Sequence, residues 1–194
     1  PSLEQTIRNA RSQGAFIVHN HPDYDKNSAN YLTATPNMLY EKGLIDGVEI
    51  MNGFWFYPKA MRRCVDRNLY MLGCTDVHGL TSTFKANGYF RTMTFVFAKE
   101  NSLKAVRKAL ENGMTLAYSS GNIAGRADLL QDLFKASVTY RYLSSNDKGK
   151  TTYALTNTTS IHYSLKFGKK TFEVPPFETI IIKIIFKMLN ACRS

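Results

Sequence analysis

The residues best suited to chemistry in this chain are Asp76 and His78, in the stretch GCTDVHG, where an apolar run gives out. The same spacing separates His19 from His21 in FIVHNHP, and Glu49 lies in GVEIMNG. All three stretches read as the ends of strand-forming runs. Residues i and i+2 of a strand project to one side, so Asp76 and His78 are expected to converge, and so are His19 and His21. In parallel α/β folds such strand ends are where functional residues gather. Imidazoles and carboxylates at one rim suit zinc, manganese or iron, and such an ion lowers the pKa of a bound water until hydroxide is available near neutral pH. The plainer reading of a lone Asp-x-His is a turn with a hydrogen-bonded imidazole.

The elements that must position these residues can be read from capping and periodicity. PSLEQTIRNARSQG has Ser2 three residues ahead of Gln5, an apolar face of Leu3, Ile7 and Ala10, and a stop at Gly14, which predicts a helix. The strand AFIVHN follows. TPNMLYEKG places Thr35 as N-cap, Pro36 at the first helical position and Gly43 as the stop, and leads into the strand LIDGVEIM. YPKAMRRCVDRN and the strand LYMLGCT repeat the device. RTMTFVFA, SLKAVRKALENG and TLAYS continue as strand, helix and strand. Such alternation with short connections predicts a parallel sheet with helices packed on it, open or closed into a barrel. From residue 137 the pattern changes to short β-branched and aromatic runs separated by turn clusters such as SSNDKGK and FGKK, which predicts a small antiparallel β appendage over 137–194 after an α/β portion over 1–136.

Composition narrows the function classes. At 194 residues and 44% hydrophobic content, the chain can bury a sizeable core. Nothing at its start reads as a signal peptide, and no apolar run reaches the roughly 20 residues of a membrane helix, so no membrane span is expected. The net charge is +10, but residues 1–98 carry +2 of it and residues 99–194 carry +8, scattered along the chain and away from the Asp-x-His stretch. A solvated surface accounts for that, and nucleic acid is not predicted as a partner. The three cysteines, Cys64, Cys74 and Cys192, form no CxxC pair, and Cys64 and Cys74 read as structural. No nucleophile elbow, P-loop or GxGxxG is present. His162 reads as a surface residue, and NGFWFYP as either pocket lining or core.

FIVHNHP, GVEIMNG and GCTDVHG, in this order, resemble the later motifs of the polymerase and histidinol phosphatase (PHP) family of metal-dependent phosphoesterases. The resemblance continues from FVFAKENSLK to LLQDLFKAS and is similar there to a phosphodiesterase-like branch, which also has an appended β segment. It implies the C-terminal part of a distorted seven-stranded β/α barrel holding two or three divalent ions, zinc, manganese or iron, at its rim. The implied chemistry is hydrolysis of a phosphodiester or small phosphomonoester by metal-bound hydroxide. His21, Asp76 and His78 match metal ligands. Glu49 matches a position that binds metal in some members and supports the site in others, and His19 and Asn52 are expected to support the ligands from behind.

The family's first-strand His-x-His and the ligands that follow it are absent, since the chain has four histidines in all. The expected partner is therefore the N-terminal half of the barrel, and the chain alone is expected to be inactive. Two alternatives stay open: a nuclease or proofreading module, and a non-catalytic binding protein with a vestigial site. A periplasmic or cell-envelope location is implied by the resemblance alone.

Overall fold

Helix α1 (Leu3–Ser12) starts where the sequence places it, because the Ser2 hydroxyl accepts the Gln5 amide at 3.2 Å and so satisfies a backbone donor that the first turn leaves open. The computed structural model describes residues 1–22, 34–82, 84 and 90–185. Contacts divide the chain into two compact units, Pro1–Leu130 and Gln131–Ser194. No helix among the described residues is long and apolar enough to cross a membrane.

In the first unit, strands β1 (Val18–His19), β2 (Gly47–Asn52) and β4 (Tyr70–Cys74) form a parallel run with β2 at its centre. Every residue of β2 is buried, as expected of a strand with neighbours on both edges and cover on both faces. Helices α2 (Ala34–Glu41) and α3 (Pro58–Arg67) alternate with these strands, and Leu39, Tyr40, Ala60 and Cys64 join Val48, Ile50 and Met71 in one core. Helix α2 begins at Ala34, so Thr35 lies inside it and not ahead of it. Helix α3 carries Pro58 in its first turn and ends at Asn68 in the left-handed conformation, φ 52°. Asp46 anchors α1 to the sheet, accepting from Arg11 at 2.7 Å and from the Ile17 amide at 2.8 Å.

The parallel pattern stops after β4. Strands β5 (Met93–Val96) and β6 (Thr115–Ser119) are antiparallel, although helix α4 (Leu103–Glu111) connects them. The reason lies at the helix ends: the Phe97 amide donates to the Met114 carbonyl at 2.9 Å, so the helix leaves and rejoins the sheet at the same end. It is an excursion from a hairpin and not a crossover. Two tight hairpins add short strands, β3 (Trp55–Phe56) on β2 and β7 (Asn122–Gly125) on β6. Strand β4 meets β5 through a side chain. The Thr94 hydroxyl accepts the Gly73 amide at 3.0 Å and donates to the Gly73 carbonyl at 2.9 Å. A Cβ at Gly73 would lie 2.7 Å from the Met93 carbonyl oxygen, so only glycine allows this approach.

The division between the units falls inside helix α5 (Ala127–Ser137). In the second unit β8 (Val138–Ser145), β9 (Lys150–Asn157) and β12 (Thr179–Ile185) form an antiparallel sheet in the order β12-β9-β8. Strands β10 (Tyr163–Phe167) and β11 (Lys170–Val174) form a hairpin. Val138, Leu155, Val174 and Ile182 make its core.

Candidate metal centre

The ends of β1 and β4 bring two of the expected residues together. His21 lies two residues past β1 and Asp76 two residues past β4, with His21 Nε2 3.9 Å from Asp76 Oδ2. Both have positive φ, 30° at His21 and 49° at Asp76, a conformation uncommon outside glycine that concentrates at functional sites. Both side chains are open to solvent.

Positive φ also breaks the strand alternation on which the i, i+2 expectation rests. His19 and His21 do not act as a pair: His19 Nδ1 meets the Tyr40 hydroxyl at 2.7 Å, and its ring lies against the Tyr40 ring. Nor do Asp76 and His78 project as strand neighbours, because the chain turns there and His78 Nδ1 reaches the Asp76 carbonyl at 2.8 Å. A carbonyl only accepts, so Nδ1 carries the proton and the lone pair of the neutral ring is on Nε2. Among the described residues no group of three or more His, Cys, Asp and Glu side chains is arranged to hold an ion.

Glu49 sits beneath the pair and is 4% exposed. Its Oε2 accepts the backbone amide of His21 at 2.6 Å and the side-chain amide of buried Asn52 at 3.0 Å. This clamp fixes the backbone turn that aims His21. Strand β2 positions it, since its register shifts between Glu49 and Met51, and that shift lets Glu49 and Asn52 meet. The Cys74 thiol lies near the Glu49 carboxyl, a proximity for which the sequence carried no signal. His162 is exposed and meets Glu173 at 2.7 Å, which holds the Glu173 carboxyl below its ordinary range; the Ser164 hydroxyl adds to the effect.

Burial pushes the Cys74 thiol up to about 12, and the neighbouring Glu49 carboxyl and the charge of Asp76 act in the same direction. Burial alone pushes Cys64 up to about 12 against the opposing charge of Arg63. Since only the thiolate reacts, and a pKa three units above the ordinary 9.0 leaves about a thousandfold less of it near pH 8, both should alkylate about a thousandfold more slowly than a free cysteine. Peptide mapping after iodoacetamide treatment at pH 8 checks this site by site. Labelling of Cys74 at the rate of a model peptide would show that its thiol is not held as described. Cys192 lies outside the described residues.

No family model and no curated protein matches the chain. Among solved structures, the chain is similar to a two-domain protein containing a predicted PHP-like metal-dependent phosphoesterase from Bacteroides vulgatus. The two share 32% identity at a TM-score of 0.84 over 94% of this chain and 57% of the other, so this chain spans a little over half the length of that protein. The likeness first read from three short motifs therefore extends over almost the whole chain, in sequence and in fold, and the chain resembles a portion of a PHP-like metal-dependent phosphoesterase.

Proposed function

We propose that the full-length protein carrying this chain hydrolyses phosphate esters, phosphodiesters or small phosphomonoesters, with the help of divalent metal. In this reading residues 1–136 are the later arc of a distorted seven-stranded β/α barrel, and the β segment is appended to it. The observation that carries the reading is the meeting of His21 and Asp76 from separate strand ends, each on a left-handed backbone. Their separation of 3.9 Å exceeds the roughly 2.7–2.9 Å of a direct charge-assisted hydrogen bond and lies within the span of two metal bonds of about 2 Å each.

The donor types fit zinc, manganese or iron. In number they make one side of a site, which accords with a chain covering 57% of its structural relative. His21 and Asp76 would hold the ion, and His78, with its Nε2 lone pair, is the third candidate. When bound, a divalent ion supplies Lewis acidity toward a phosphoryl oxygen and a lowered pKa for water. Glu49 holds the His21 turn, Asn52 holds Glu49, and the His78–Asp76 carbonyl bond holds the Asp76 turn.

Asp76→Asn keeps size and removes charge. In the full-length protein at saturating manganese or zinc, turnover of bis(p-nitrophenyl) phosphate should fall at least about tenfold, the scale seen even for residues that only support a metal ligand. Unchanged turnover would remove Asp76 from the site and this reading with it.

A further inference from the structure

The aromatic stretch after β2 builds a second feature. Gly53 and Phe54 form the two-residue turn between β2 and β3, with Gly53 at φ 54°; Ser120 and Gly121, at φ 51° and 79°, form the turn between β6 and β7. Two-residue turns of this kind hold a hairpin in one geometry. The hairpins are also fastened to each other, because the Gly53 carbonyl accepts from the Ser119 hydroxyl at 2.9 Å and from the Thr92 hydroxyl. A cavity of about 550 Å³ lies between them, within the range of small-molecule sites. Met51, Phe54, Phe56, Met61 and Ile123 give it apolar walls, and Phe54 and Phe56 are each 45% exposed.

The lining decides the kind of occupant. Among the described residues no lysine, arginine or histidine lines the cavity, and the lining they form is suited to an uncharged group. Aromatic and thioether walls favour a flat apolar face, while Ser120 and Asn122 at one end can satisfy a polar edge. The cavity also adjoins the rim through the backbone. The Gly53 amide donates to the Cys74 carbonyl at 3.0 Å, and a Cβ on Gly53 would lie 3.7 Å from the Thr75 carbonyl oxygen, one residue before Asp76. Asn52, on the other side of Gly53, is the residue that holds Glu49. Resting on the phosphoesterase reading, we infer that this cavity takes the uncharged planar aromatic part of the ester, an aryl group or a nucleobase, while the phosphate lies at the His21–Asp76 rim.

Trp55 stands between Phe54 and Phe56 in the chain but is not one of the lining residues, so binding is read by heat and not by tryptophan emission. The test titrates the full-length protein with phosphate-free adenosine and with 4-methylphenol, following calorimetric heat, with inorganic phosphate as competitor. Binding of either aromatic is expected, with adenosine alone indicating a nucleobase and methylphenol alone an aryl group. Phe56→Ala and Ile123→Glu should each weaken it at least about tenfold, the scale of removing one apolar wall, and phosphate should leave it unchanged. Both wall residues are at least partly exposed, and circular dichroism confirms that the variants fold. No binding of either probe at millimolar concentration, competition by phosphate, or full affinity in both folded variants would overturn the inference. These measurements use no metal and no turnover, so the cavity can fail while Asp76→Asn still abolishes hydrolysis, and the reverse.

Discussion

Replacing Glu49 with alanine should lower the divalent-metal affinity of the full-length protein by about 10- to 100-fold, the range found when a group that orients a metal ligand is removed. The effect passes through His21. Its amide, held at 2.6 Å by Glu49, sits in a turn with φ 30° that a non-glycine residue adopts only under restraint. Without the carboxyl, that amide and the side-chain amide of Asn52 lose their shared acceptor in a buried place, and each loss costs about 1–3 kcal/mol. The turn relaxes, and His21 no longer faces Asp76 in a fixed position. Glu49→Gln retains an acceptor oxygen and should recover most of the stability but less of the metal affinity, since the negative charge stays lost. Competition with a chelating dye gives the affinity, and thermal unfolding gives the stability. If Glu49→Ala binds metal within about twofold of the unmodified protein, Glu49 does not orient His21.

The largest stability effect is expected in the β unit, at Asn157. This side chain is 1% exposed at the end of β9, and its amide nitrogen donates to the carbonyls of Ile161, at 2.6 Å, Val174 and Pro175. Its oxygen accepts the Thr159 amide and hydroxyl, each at 3.0 Å. One residue thus closes the loop after β9 and ties it to the chain between β11 and β12. Asn157→Leu keeps the branched outline in a larger side chain and leaves these backbone groups without partners, so lost hydrogen bonds and overpacking together should cost the unit about 3–5 kcal/mol. Urea unfolding followed by circular dichroism tests this. A loss below about 1 kcal/mol would mean that water replaces the side chain at little cost.

Local chemistry was the legible part of this sequence. Ser2 and Gln5 gave the first helix, Pro58 the third, and the turn clusters after residue 137 gave the antiparallel strands. The hairpin after β2 was only half legible, because Asn52-Gly53 signals a turn but the turn residues are Gly53 and Phe54, with Asn52 still paired in the strand to Trp55. The antiparallel pairing of β5 and β6 could not be read, because a helix between two strands looks the same whether it crosses the sheet or returns to where it left. At the candidate site, residue types and strand ends picked out His21, Asp76 and Glu49. Their roles depended on backbone dihedrals at His21 and Asp76 and on a register shift in β2, neither of which leaves a mark in residue type.

The joint between β4 and β5 has a consequence for how the sequence can drift. Along a strand ladder each pair of backbone bonds backs up the next, and almost any residue can be exchanged without cutting the connection. Where Thr94 takes and returns the hydrogen bonds of Gly73, those two bonds depend on one rotatable side chain and so on one codon. Serine there preserves the joint. Valine, nearly identical in outline, deletes both bonds and leaves Gly73 facing a methyl group. Most of the backbone pairing here is indifferent to residue type, but at the seam beside the strand that leads to Asp76 the hydrogen bonding of Gly73 is encoded by a hydroxyl, so drift at position 94 is confined to residues that keep one.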